Sequence, residues 1–402
     1  MNFRSGAVIS VIGLALLVWS DPAQSQAWLD PRCKELPLGK SLSAGPSGVD
    51  AIGPVVELRD GRLLTVEGGA TRNSNDDGNT WSKPKNIYDG PGPGIPGRGL
   101  LLKTRDGVLV LVYMDGSTAK WGWNSSQKVA DVDVRLDVWS IRSLDDGETW
   151  SDRQMIAQGY CGDLINMIQT SSGQIVVPVM CMIDRKRHAT FTCVSADEGK
   201  TWRKGNIVDV GGNGDHDGSI EATVAELTDG RVLMLLRTSL DHFWEAYSDD
   251  SGRYWREAKP SLIDASSSPG HLIRLASGRL ALVWNRLYPT TNDSWYSQER
   301  RSNWPPDWKK KYPDGPDRFP RTPPHGDRSE TAASWHHDEL SLAFSDDDAK
   351  TWSEPIVIAS KSPYHELSYP FIFERRPGQL WIIVRDGNRL SFSLNESDFV
   401  QK

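Results

Sequence analysis

From residue 55 onward the chain is a succession of short apolar runs broken by tight polar turns, with no helical period of note. VVELRDGRLLTV (55–66), LLLKTRDGVLVLVY (100–113) and FIFERRPGQLWIIV (371–384) are each a pair of β-rich segments around a two-residue turn. These turns recur at Asp60-Gly61, Asp106-Gly107, Ser172-Gly173, Asp229-Gly230, Ser277-Gly278 and Pro377-Gly378. Glycine in the second place supplies the positive φ that a tight hairpin turn needs.

A second repeat is independent of the first. The octapeptide S-x-D-x-G-x-T-W stands at 74–81, 143–150 and 195–202, and in altered form at 248–255 (Tyr254 for Thr) and 345–352 (Ala349 for Gly). Its Ser and Asp can bond nearby backbone N–H groups, its Gly accepts a positive φ, and its Trp folds back on the turn. Each copy follows a strand-like run such as DVWSIR (137–142) or ELSLAF (339–344). One unit therefore reads strand A, Gly turn, strand B, connection, strand C, octapeptide turn, strand D. Six such units predict an all-β six-bladed propeller, which closes radially and leaves only short sheet edges.

The first residues read differently. A basic start at Arg4, an apolar run over 7–19 and small residues at Ser25 and Ala27 form the pattern of a secretory signal peptide. The run is too short to span a bilayer. The expectation is a leader over 1–27, a single propeller domain over 28–402, and a secreted or periplasmic protein without membrane insertion. Residues 289–334, with WPPDWKKKYPDGPDRFPRTPP, are expected to be a long loop insertion.

Composition narrows the classes. A 38% hydrophobic fraction with 25% charged residues supports a core and excludes wholesale disorder. A net charge of −7 argues against a general binder of phosphate backbones, and no P-loop or dinucleotide fingerprint occurs, so no nucleic-acid role is expected. Four Cys do not make a disulfide scaffold; Cys181 and Cys193, in adjoining strand-like runs, fit either a cross-strand disulfide or two buried thiols. No Cys/His spacing suggests a metal, and no cofactor is expected.

The octapeptide is the Asp-box, and from about Val49 to Phe399 the chain resembles the sialidase (neuraminidase) superfamily of six-bladed propellers. In that family the boxes lie on the face away from the active site. Strand alternation then places the starts of A strands and the ends of B strands around an axial pocket at the other end. Nine residues before each turn Gly stand Ile52, Arg98, Leu164, Glu221, Pro269 and Tyr369; seven after it stand Gly68, Met114, Met180, Arg237, Asn285 and Arg385. Arg98, Glu221, Arg237, Tyr369 and Arg385 are therefore expected to surround one pocket.

The resemblance implies roles for three of these. Tyr369, in ELSYPFIF, matches the family's nucleophilic Tyr; Glu221, in GSIEATVAELTDG, matches the Glu that activates it; Arg237, in VLMLLRT, matches an Arg that clamps the substrate carboxylate. A neutral phenol suits a substrate with a carboxylate on its anomeric carbon, which would repel an anionic nucleophile. An Arg fork binds a carboxylate bidentately.

Other parts of the family pattern are missing. The first blade reads Ala51-Ile52-Gly53-Pro54 rather than Arg-Ile-Pro, the first B–C connection (GGATRNS) has no acid/base Asp, and His337 stands where a third clamp Arg is expected. Arg98 and Arg385 are the candidate replacement cations and His337 a further candidate substrate ligand. Asp217, in the loop GNGDHDG, is the first candidate acid, with Asp115 and Asp163 as alternatives; Asp217 equally fits a loop carboxylate bonding backbone N–H groups. Trp121, Trp123, Trp295, Trp304, Trp308 and Trp335 are candidates for stacking on sugar rings, or for packing their own loops.

Three functions follow: a secreted sialidase-like exo-glycosidase acting on a terminal acidic sugar, sialic acid first; a glycosidase or lyase on another, uronate-type glycan; or a non-catalytic glycan-binding propeller. The partner in each is a carbohydrate.

Overall fold

The computed structural model describes residues 28–36, 54–88, 99–124, 126–287, 337, 339–360, 367–387 and 390–400, and the expected leader 1–27 and insertion 289–334 lie outside them. Apart from a short ribbon (Trp123–Asn124 with Val129–Ala130), the described strands form six antiparallel sheets of sequential strands, the blades of a propeller. Blades I to VI span residues 55–86, 99–157, 168–204, 220–264, 271–360 and 367–395.

The apolar runs are nearly continuous because each inner strand is buried on both faces. In blade II, Leu109, Leu111 and Tyr113 of Leu109–Met114 pack toward blade I, while Val110 and Val112 pack toward blade III. In blade IV, Val232, Met234 and Leu236 of Val232–Arg237 pack toward blade III, and Leu233 and Leu235 toward blade V. The period of two thus divides one run between two cores. Every neighbouring pair of blades, including VI and I, shares such an apolar cluster.

The ring closes with help from the N-terminal segment. Lys34–Glu35 pairs with Ser391–Asn395 as the outer strand of blade VI, and Trp28–Leu29 adds a fifth strand to blade V beside Ile356–Ser360. Between blades VI and I, Arg375 reaches Asp77 Oδ1 (2.6 Å) and Glu57 Oε2 (2.5 Å).

Both predicted turn types hold. All six turn glycines have positive φ, from 77° at Gly378 to 91° at Gly173. In the boxes, the Ser hydroxyl accepts the N–H four residues on and bonds the Asp carboxylate, which accepts the amide of the following Thr or Tyr254 (for box two, 2.9, 2.8 and 2.8 Å). The fourth box residue, Asp77, Asp146, Glu198, Ser251 or Asp348, also has positive φ. In four of the boxes its side chain does something the sequence pattern does not announce: it ties the box to the A–B end of the preceding blade. Glu198 takes Thr104 Oγ1 (2.8 Å), Ser251 bonds Ser172 (2.9 Å), Asp348 takes the Thr228 amide (3.0 Å), and Asp77 takes Arg375. These ties put the boxes and the A–B turns at one end of the barrel of blades.

The strand register decides the cysteine question. Cys181 lies opposite Ala189 and Cys193 opposite Val177, four positions apart along the Ile175–Ile183/Arg187–Ser195 pair, so they form no cross-strand disulfide. All four thiols are free, and burial pushes Cys193 up to about 12.

Candidate active site

With boxes and A–B turns at one end, the B–C connections collect at the other. There a cavity of about 270 Å³ is lined by Met114, Tyr160, Asp163, Met180, His188, Asp215, His216, Glu221 and Tyr369, among others. A larger cavity of about 650 Å³ lies between the inner strands and shares no lining residue with it. It is lined by residues from the first strands of all six blades, with Arg274 donating to Glu226 O (2.6 Å) and Ser171 N–H to Glu226 Oε2 (2.7 Å) across blade boundaries, so it is the bore of the propeller.

Local strand geometry builds the first part of the site. In blade IV the pairing of Ile220–Glu226 with Val232–Arg237 sets Ile220 opposite Arg237 and then slips by a bulge before Thr223. Glu221 sits in that bulge with φ +46°, and Tyr369, near the start of Leu367–Arg376, has φ +54°. Non-glycine residues adopt such angles only when their surroundings hold them there. The result is a buried cluster: Tyr369 Oη donates to Glu221 Oε1 (2.7 Å), and Arg237 ion-pairs with the other Glu221 oxygen and donates to Ser267 Oγ (3.3 Å).

The electrostatics of this cluster push the carboxyl and the phenol in opposite directions. Burial acts to raise the Glu221 carboxyl, but the Arg237 charge and the hydrogen bonds from Tyr369 and Arg237 outweigh it and hold the group below its usual range. Burial pushes the Tyr369 phenol well above its usual value, and the Glu221 charge adds to this. At neutral pH the site therefore holds an ionised carboxylate against a protonated phenol, the arrangement a general base needs.

A second cluster faces the same cavity. Asp215 Oδ1 lies 3.1 Å from His216 Nδ1 and 3.5 Å from His188 Nε2. Burial opposes ionisation of Asp215, yet the two imidazoles hold its carboxyl far below the usual range. His188 is 2% exposed, and burial pushes its imidazole below the ordinary value against the pull of Asp215. Tyr160, pushed up to about 12 by burial, packs on Trp121 (ring centroids 4.6 Å apart), and Trp121 stacks over His188 (6.4 Å).

The structure brings together Glu221, Tyr369 and Arg237, and their offsets from the turn glycines also carry Met114 and Met180 into the cavity wall. It places several of the other candidates elsewhere. Asp217 turns a carboxylate oxygen to the Asn213 amide (3.2 Å) within its own loop and does not line the cavity; its neighbours Asp215 and His216 do. Asp115 caps a short turn through Ser117 N–H (3.0 Å) and Oγ (2.6 Å), whereas Asp163 lines the cavity and accepts the Leu164 amide (2.9 Å). Arg237 touches Glu221 rather than lining the cavity, so its guanidinium is not presented as the expected clamp. His337 accepts the Leu367 amide through its backbone carbonyl and is not a lining residue. Asn285, at an end-of-B position, carries no chemistry: its amide donates to Glu339 O (2.8 Å) and Leu367 O (2.9 Å). Arg98 lies outside the described residues; Arg385 stands between Val384 and Asp386, which pair with Pro370 and Ser368, so its backbone faces Tyr369 in register. Among the described residues no Arg or Lys lines the cavity. His188 and Tyr160 had no signal in the sequence; Asp215 and His216 stood in the loop already singled out, two and one residues from Asp217.

A family model described as a BNR repeat-like domain matches residues 70–382. No curated protein matches the chain. Among solved structures, the NanB sialidase of Streptococcus pneumoniae is similar at 13% identity and a TM-score of 0.55, over 94% of this chain and 71% of that one. The intramolecular trans-sialidase of Ruminococcus gnavus, complexed with oseltamivir carboxylate, matches at 13% and 0.54, over 88% and 96%. The α-L-arabinanase of Penicillium chrysogenum, complexed with arabinobiose, matches at 12% and 0.54, over 94% and 100%. At these identities the likeness is one of fold.

Proposed function

The chain belongs to the BNR repeat-like family, and on that premise we propose that it is an exo-acting glycoside hydrolase with Tyr369 as nucleophile and Glu221 as its base. The observation that carries the reading is the 2.7 Å hydrogen bond from a buried, protonated phenol to a carboxylate held ionised by Arg237. As Tyr369 Oη attacks the anomeric carbon, its proton passes to Glu221, and Arg237 stabilises the pair throughout by fixing the carboxylate's orientation. The phenol choice favours a sugar bearing a carboxylate at the reacting carbon, sialic acid first, with the cations for it drawn from Arg98 and Arg385. A second reading is a neutral glycone, which the lining itself favours: Asp163, Asp215 and Glu221 are there, and no described lining residue is an Arg or Lys. Export through residues 1–27 belongs to the same proposal.

The test assays the exported fraction of an expressing culture on a fluorogenic α-sialoside beside aryl uronides and arabinosides. Tyr369→Phe is expected to lower kcat by at least about 10³-fold and Glu221→Gln by about 10²–10⁴-fold. Turnover of only the neutral glycosides selects the second reading. Glycan binding without any product would overturn both.

A further inference from the structure

The reaction above also needs an acid for the departing oxygen, and the described cavity offers few donors. Glu221 is committed to Tyr369, Asp215 is held ionised between two imidazoles, and His188 is buried and kept neutral. His216 differs from these. Its side chain is 48% exposed while it lines the cavity, and its Nδ1 is anchored on Asp215 Oδ1 at 3.1 Å, so proton exchange with a ligand runs through Nε2.

The loop that carries it is built to hold it still. Gly211, Gly212, Gly214 and Gly218 all have positive φ, and His216 itself stands at φ +66°. Gly214 N–H donates to Lys186 O (2.6 Å), His188 N–H to Asp217 O (2.8 Å) and Ser219 N–H to His188 O (3.2 Å), stitching residues 211–219 to the 184–188 hairpin. A Cβ on Gly218 would meet His188 O at 1.9 Å, so the approach of the two loops requires that glycine. Ser239 Oγ donates to His216 O (3.1 Å) from the next blade. Such a frame fixes a catalytic group before substrate arrives.

We propose that His216 is the proton donor to the leaving group in this cavity and that Asp215 positions it, an assignment that rests on the glycosidase reading. In the first step the Tyr369 oxygen forms a bond to the anomeric carbon and the glycosidic C–O bond breaks. Its electron pair stays on the leaving oxygen, which takes the proton from His216 Nε2, while Glu221 takes the phenolic proton. In the second step water attacks the same carbon and gives a proton back to His216. The Tyr369–carbon bond breaks, and the phenolate recovers its proton from Glu221. The leaving group this serves is an unactivated alcohol, such as the hydroxyl of a second sugar, which cannot depart as its anion.

The test compares one glycone on two leaving groups: 4-methylumbelliferone, which needs little protonation, and a sugar in the matching disaccharide. His216→Gln is expected to lose about 10²–10⁴-fold in kcat/KM on the disaccharide and less than about tenfold on the aryl glycoside. Asp215→Asn follows the same leaving-group pattern with a smaller loss, which a purely structural role would not produce. His216→Asn, with near-UV dichroism matching the parent, repeats the measurement if the Gln variant folds poorly. Equal losses on both substrates, no loss, or the leaving-group signature in Asp163→Asn instead would overturn the assignment. If Tyr369→Phe retains full activity while His216→Gln shows the signature, the nucleophile reading fails and the acid stands. A wild-type protein inactive on every glycoside sinks both.

Discussion

Glu221 and Arg237 show how little a residue's neighbourhood can be read from its type. Their offsets of −9 and +7 from Gly230 predicted that both would line one pocket; they form an ion pair, but only Glu221 lines the cavity. What the offsets could not carry is direction: Arg237 spends its fork on Glu221 and Ser267, because a carboxylate buried beside a phenol needs a counter-charge more than the cavity needs a clamp. The same holds for residues 215–217, where one left-handed residue, His216, sends Asp215 to the cavity and Asp217 back to Asn213. Backbone angles of that kind at non-glycine positions leave no mark in a sequence. His188 yields a prediction at this scale. Its folded value is depressed below 6.5, so on acidification the unfolded chain binds a proton that the folded chain refuses. The contribution is intact above pH 6.5 and is lost as pH falls from there through the depressed folded value. The thermal midpoint is expected to drop between pH 7 and pH 5, and to drop less in His188→Gln, as read by circular dichroism.

At the scale of elements, the Asp-boxes were almost wholly legible. Their hydrogen bonds are local, within five residues, so composition and spacing suffice to specify them. The fourth box residue was not legible, because its partner belongs to another blade. Two substitutions test the glycine logic from opposite sides. Gly147 has φ +87°, and an added Cβ would meet Leu64 Cδ1 at 2.6 Å; Gly147→Ala is expected to cost about 1–3 kcal/mol in chemical denaturation. Ala349 occupies the equivalent place at φ +65°, and Ala349→Gly is expected to stabilise by about 0.5–1 kcal/mol. A shared sign for the two changes would refute the argument. The cysteines make the converse point: two β-like runs joined by a polar loop established the hairpin, but register, set by the length of that loop, placed Cys181 and Cys193 four positions apart.

For the whole molecule, the decisive feature is how a ring of sheets is closed. Six Gly turns and five boxes counted the blades, yet nothing in residues 28–36 marked them as strands of the last two. Lys34–Glu35 supplies the fourth strand of blade VI, to which 367–395 contributes three, and Trp28–Leu29 covers the outer edge of blade V. Cys33 enters the apolar cluster shared by blades V and VI as part of that closure. Deleting residues 28–36 is expected to lower the thermal midpoint and broaden the transition, with blades V and VI losing amide protection first in hydrogen exchange. Unchanged protection there would show that the segment adds nothing to the ring. The seventeen Trp residues divide at this scale too: those at 81, 150, 202, 255 and 352 belong to box turns, and Trp121 packs against Tyr160, which lines the cavity.

The sequence by itself determined the strands, the turns and the number of blades, since each rests on a period of two, on glycines with positive φ and on side chains bonding their own backbone. It also put Tyr369 and Glu221 at one pocket, because the repeat converts sequence offset into position around an axis. Which side chains point into the cavity was decided only by the tertiary structure. Direction depends on a bulge at Glu221, left-handed residues at His216 and Tyr369, and counter-charges arriving from other strands and loops. Those are contacts between distant parts of the chain, whose strength comes from burial that exists only once the blades have closed.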